Sequence, residues 1–113
     1  MTRVVLRIDF DEVRYIGHGR IELLELIDST GSIAKAGKAM SMSYKRAWTL
    51  VDDVNKTFSV PVVDRRHGGK GGGAAVLSDF GRKLVADYRD MEKEALRAFA
   101  KQLKAMEKHL APH

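Results

Sequence analysis

At 113 residues the chain has room for one domain with a single modest core. It contains no cysteine, which excludes a disulfide framework and a thiolate metal site, and no run approaches the roughly 20 apolar residues of a transmembrane helix. The net charge of +5 is unevenly placed: residues 32–83 carry ten Lys/Arg against four Asp, whereas residues 1–31 carry four Arg against six acidic residues.

A phosphate-rich partner would be drawn to the basic middle segment. Arg7 and Asp9 interrupt the apolar start, so no secretory signal peptide is expected and the chain is read as cytoplasmic.

Val4, Leu6, Ile8 and Phe10 alternate with Val5, Arg7 and Asp9, which predicts a half-buried strand over 3–10. Gly17-His18-Gly19 reads as a break. A helix over 20–29 follows, with Ile21, Leu23, Leu24 and Ile27 facing inward. Gly31 suits a left-handed helix end and Ser32 an N-cap, so a short helix over 33–40 comes next. Gly37 inside it lowers helix stability by roughly 1 kcal/mol relative to Ala, and allows close approach to a crossing helix. Ser41-Met42-Ser43 is a turn, with Ser43 capping a helix over 44–58. There Ala47, Val51, Val54 and Phe58 face the core, Lys45, Arg46, Thr49, Asp53 and Lys56 face outward, and Trp48 anchors the core edge.

Val60–Val63 leads into one strand and Ala74–Leu77 forms another, around a loop rich in glycine from Gly68 to Gly73. Ser78 caps a long final helix. Phe80, Leu84, Tyr88, Met91 and Ala95 form its first stripe, suited to packing on the domain. Leu96, Phe99, Leu103, Met106 and Leu110 form a second stripe with heptad spacing, which predicts a dimer seam.

Two short helices with a tight turn, then two strands joined by a basic glycine loop, have the layout of a winged helix-turn-helix. The expected fold is α+β and mostly helical, with a two-stranded wing and a long C-terminal dimerisation helix. Residues 1–16 are a strand and linker, 17–83 the DNA-binding domain and 84–113 the rest of the long helix. In this layout the second helix enters the major groove. Lys45, Arg46 and Thr49 are placed to reach base edges. Ser32 and Ser43, at helix N-termini, suit phosphates. Arg65, Arg66, His67 and Lys70 suit the backbone or minor groove. The glycine run is not a Walker loop, because Gly71 follows Lys70 and a strand follows the loop. His109 and His113 lie one turn apart without an acidic or thiol partner, so no metal is expected. No nucleophile–base set is visible either, so neither catalysis nor a cofactor is expected.

The string Gly-Ser-Ile-Ala-Lys-Ala-Gly-Lys-Ala-Met-Ser-Met-Ser-Tyr-Lys-Arg-Ala-Trp at 31–48 resembles the N-terminal DNA-binding domain of the molybdate-responsive ModE-type regulators, relatives of the LysR-type winged helices. The resemblance continues through Arg65 and Gly68–Gly73 to Ala75–Ser78 and Gly81, and spans roughly residues 17–100. It implies a homodimeric prokaryotic transcription factor that binds a palindromic operator in double-stranded DNA. By the same resemblance Ser43, Tyr44, Lys45 and Arg46 belong to the recognition helix, and Arg65 and Lys70 to the wing. Full-length members also carry C-terminal domains for molybdate or tungstate. No residue here can be assigned to such a pocket, so neither anion is expected as a partner of this chain alone. The expectation is therefore a sequence-specific regulator without a ligand domain of its own. The alternative is a protein-interaction module that pairs with another regulator through the C-terminal helix.

Overall fold

The computed structural model describes residues 1–66 and 74–113. In chain order the elements are β1 (Arg7–Asp9), β2 (Tyr15–Gly17), α1 (His18–Thr30), α2 (Ile33–Ala39), α3 (Tyr44–Thr57), β3 (Val63–Arg66), β4 (Ala74–Leu77), α4 (Asp79–Ala98) and α5 (Ala100–Glu107). β1 pairs antiparallel with β2, with Ile8 opposite Ile16. β3 pairs antiparallel with β4, from Val63 opposite Leu77 to Arg66 opposite Ala74.

Local chemistry sets the helix ends. Gly31 is left-handed, with φ 71°, and its N–H reaches the Ile27 carbonyl at 2.8 Å. Ser32, Ser43 and Ser78 each accept a backbone N–H three residues on, at 3.1, 3.1 and 2.9 Å. α2 ends in a Schellman motif. The Met42 N–H bonds the Gly37 carbonyl, the Ser41 N–H bonds the Lys38 carbonyl, and Ser41 itself is left-handed with φ 58°.

The core joins Ile21, Leu24 and Ile27 of α1, Ile33 and Ala36 of α2, Ala47, Val51 and Val54 of α3, and Tyr88 of α4. A Cβ on Gly37 would stand 2.7 Å from the Ala47 Cβ, so α2 and α3 cross with no side chain between them. The base of the wing docks on the α1–α2 turn, where the Ala75 N–H donates to the Gly31 carbonyl at 3.0 Å. At the other end Tyr88 donates its hydroxyl to the Leu6 carbonyl at 2.6 Å and ties down the N-terminal segment. Burial raises the Tyr88 phenol above its ordinary range, and Glu92 adds to the effect. Arg89 bridges α4 to α1 with a two-pronged contact to Glu25, at 2.6 and 3.0 Å, and also holds Glu92 at 2.6 Å. The Glu25 and Glu92 carboxylates raise the Arg89 pKa further.

Three expectations need correction. The N-terminal strand is three residues long rather than spanning 3–10, although Val4, Leu6 and Ile8 do lie on the half-buried side. Gly17-His18-Gly19 is not a break: Gly17 closes β2 in extended backbone and is the N-cap of α1, which begins at His18. The final helix is not continuous. At Phe99 ψ is 16°, far from helical values, although its N–H still donates to the Ala95 carbonyl at 3.0 Å. α5 then ends at Glu107, which leaves Leu110 beyond it. The heptad row thus runs from α4 through the junction at Phe99 and along α5 to the tail beyond it, and Met91 of the first stripe is exposed rather than packed.

Candidate nucleic-acid interface

The N-terminal turn of α3 presents Tyr44, Lys45 and Arg46, all exposed, with Thr49 one turn further along. Ser43, Lys45, Arg46 and Thr49 line one shallow cleft, which Leu50 and Asp53 complete. The Ser43 Oγ accepts from the Arg46 N–H, so its own hydroxyl proton is free to donate. Thr49 differs, because its hydroxyl donates to the Lys45 carbonyl at 2.9 Å. That leaves Thr49 an acceptor oxygen and a methyl group. Ser32 stands half-buried at the start of α2 and accepts from the Lys35 N–H.

Ion pairing narrows the basic surface. Lys56 and Arg65 converge on Asp52, at 2.8 and 3.3 Å. Arg82 pairs with Asp79, and Lys83 with Asp87 at 3.1 Å. Among the described residues, Lys35, Lys38, Lys45 and Arg46 have no carboxylate at ion-pairing distance. Among the described residues, the unneutralised positive charge of the middle segment therefore gathers on α2 and the start of α3.

Arg65 is anchored on two sides. Its guanidinium lies 4.6 Å from the centre of the Trp48 ring and pairs with Asp52. The Lys56 ammonium, and after it Arg65, holds the Asp52 carboxyl below the usual carboxylate range. Trp48 was expected to anchor the core edge; it is 40% exposed and forms a platform for the wing arginine. Asn55 fixes the strand behind it. Its Oδ1 accepts from the Val62 and Val63 N–H groups at 2.9 and 3.0 Å, and its Nδ2 donates to the Val63 carbonyl at 3.0 Å.

Asp52 and Asn55 were not singled out from the sequence. The i, i+4 series Trp48–Asp52–Lys56 was the available signal for the first, whereas nothing local marks Asn55. The Arg66 backbone closes the wing register opposite Ala74. The Arg66 side chain, His67 and Lys70 fall outside the described residues. Of the expected dimer seam, Leu96, Phe99, Met106 and Leu110 are exposed and Leu103 is half-buried.

No family model matches the chain. It is 42% identical over 95 residues to the molybdenum transport protein ModE of Azotobacter vinelandii, a match that covers 82% of this chain and 35% of that protein. The molybdenum-pterin-binding protein MopB of Rhodobacter capsulatus is 42% identical over 95 residues, with coverage of 84% and 34%. The DNA-binding transcriptional dual regulator ModE of Escherichia coli K12 is 34% identical over 87 residues, with coverage of 77% and 33%. The chain spans about a third of the length of these curated relatives. In fold it is similar to the crystal structure of the CbnR_DBD–DNA complex, with a TM-score of 0.60 at 17% identity, covering 78% of this chain and 95% of that one. Over that third of their length the chain is similar in sequence to the ModE-type regulators, and its fold is a winged helix-turn-helix.

Proposed function

We propose that this chain is a sequence-specific transcriptional regulator that binds double-stranded DNA as a homodimer on a palindromic operator, in the prokaryotic cytoplasm. The observation that carries the reading is the cluster of unpaired cations on α2 and the capped start of α3. A recognition helix uses that turn to reach base edges, and cations without internal partners are available to phosphates. The relatives named as transcriptional regulators support the same reading. Lys45 and Arg46 read bases, with Thr49 as an acceptor and methyl contact. Ser32, Ser43 and Tyr44 hold the backbone. Arg65, Arg66 and Lys70 act from the wing. Leu96, Phe99, Leu103, Met106 and Leu110 supply the apolar contact between subunits. No catalytic step belongs to this function.

Selection from a random-sequence duplex library tests it, followed by titration of the enriched duplex at several salt concentrations. Enrichment of a palindrome, with affinity falling steeply as salt rises, is the expected result. Binding without enrichment would remove sequence specificity from the proposal, and absence of binding would remove DNA.

A further inference from the structure

We propose that the cleft between the N-terminal hairpin and α3 is a binding site for a small apolar monocarboxylate. The cleft has a volume of about 430 Å³, within the range of small-molecule sites. Leu6, Met42 and Leu50 give it an apolar wall, and Arg7, Arg20 and Arg46 bring three guanidinium groups to it.

Arg20 carries the argument. Its side chain is only 10% exposed, yet its nearest carboxylate, Asp53, lies 3.7 Å away. Its Nε is buried and has no hydrogen-bond partner among the described residues. The side chain is largely buried and its ion pair to Asp53 is long, so a carboxylate reaching its outer guanidinium nitrogens from the cleft would add a charge-assisted hydrogen bond. Arg7 and Arg20 also each stand 3.9 Å from the centre of the Tyr15 ring, so two cations are held around one aromatic side chain.

Charge sets the valence of the ligand. Arg7 is matched by Asp9 at 2.8 Å and Arg20 loosely by Asp53, whereas Arg46 has no carboxylate partner among the described residues. One negative charge completes the set. The start of α1 points the same way. Gly17 caps it with no side chain, and His18, Gly19 and Arg20 of the first turn line the cleft, where the helix dipole favours an anion. The apolar wall distinguishes the ligand from inorganic phosphate, because only a hydrocarbon body would displace water from Leu6, Met42 and Leu50.

The test is titration of the full chain with 2-naphthoate, followed by ¹⁵N NMR of the Gly17, Gly19 and Leu50 amides. Neutral 2-naphthylmethanol and inorganic phosphate are titrated in parallel. Saturable shifts at those amides are expected, with binding about tenfold weaker for the alcohol and for Arg20→Gln. Because the Arg20 side chain is largely buried, Arg46→Gln provides a second variant at an exposed position, and it should weaken naphthoate several-fold with the fold intact. The proposal fails if no saturable shift occurs or if the shifts lie elsewhere. It also fails if the alcohol or phosphate binds as well as naphthoate, or if Arg46→Gln leaves the affinity unchanged. None of these readouts involves DNA, so they are independent of the regulator reading.

Discussion

Lys45 and Arg46 occupy the first turn of a helix whose N-cap is made by Ser43, and neither side chain is spent on an internal carboxylate among the described residues. Replacing either by Ala should lower affinity for the selected duplex by about 1–3 kcal/mol if it reads a base. Stability should stay nearly constant, because both side chains are exposed. Anisotropy titration alongside thermal melting checks both halves, and unchanged affinity in both variants would remove them from base readout. Tyr88 makes a prediction of the opposite kind, on stability alone. Its phenol holds its proton more tightly when folded than its ordinary pKa of 10.0 would allow, so the stabilisation is complete below about pH 10. It is lost as pH rises through 10 towards the raised folded value. Tyr88→Phe removes the hydroxyl bond to Leu6, and should lower stability at pH 7 by about 1 kcal/mol while flattening the alkaline limb. Denaturant melts at pH 7 and above pH 10 measure both effects. The sequence placed Tyr88 on the packed stripe through its ring. Its hydroxyl partner is a backbone carbonyl far along the chain, and no side-chain pattern announces such a contact.

At the scale of elements, legibility followed the range of the interaction. Ser32, Ser43 and Gly31 were readable because a cap is decided within four residues. The wing strands were readable as two apolar stretches around the glycine loop, but their register was not, because Ala74-Ala75-Val76-Leu77 is apolar throughout and only the fold buries Ala75 and Leu77. β2 was missed because three residues ending at Gly17 offer no period, and the glycine that looked like a break is the residue where the helix starts. The interruption at Phe99 was invisible for another reason: Leu96, Phe99 and Leu103 keep perfect helical spacing across it. Two substitutions probe elements directly. Ser41 holds a left-handed conformation at the end of α2, which favours glycine. Ser41→Gly should therefore raise stability by about 0.5–1 kcal/mol, after the extra entropy of glycine in the unfolded chain is counted. A lower melting temperature would show that the Ser41 side chain matters more than its backbone. Asn55→Ala should act the other way. It strands two N–H groups and a carbonyl of β3 and its approach, and should cost about 2 kcal/mol in a denaturant melt. Loss of less than half of that would mean that water replaces the clamp.

For the whole molecule, the decisive feature is an apolar row that the fold leaves uncovered. Leu96, Phe99 and Met106 are 42%, 52% and 65% exposed, on the part of the chain furthest along from the helix-turn-helix. The composition of that row was legible in its heptad spacing. Its interruption was not: α4 ends at Ala98 and α5 begins at Ala100, with Phe99 between them at ψ 16°. A second copy is the occupant that fits the proposed function. Two recognition helices must face half-sites about 34 Å apart on one side of a duplex, and one chain supplies a single α3. Phe99, at the junction of the two segments, is the residue through which such pairing is tested. Phe99→Glu places a charge in the proposed seam but disturbs little in the lone chain, since the ring is half exposed. Sedimentation should show the parent chain as a dimer and the variant as a monomer, with unchanged helical circular dichroism. Affinity for the full palindrome should then fall towards that for an isolated half-site, because the linkage between the two binding events is gone. A parent chain that sediments as a monomer would hand the row to a different protein, and Phe99→Glu would then leave DNA affinity where it was.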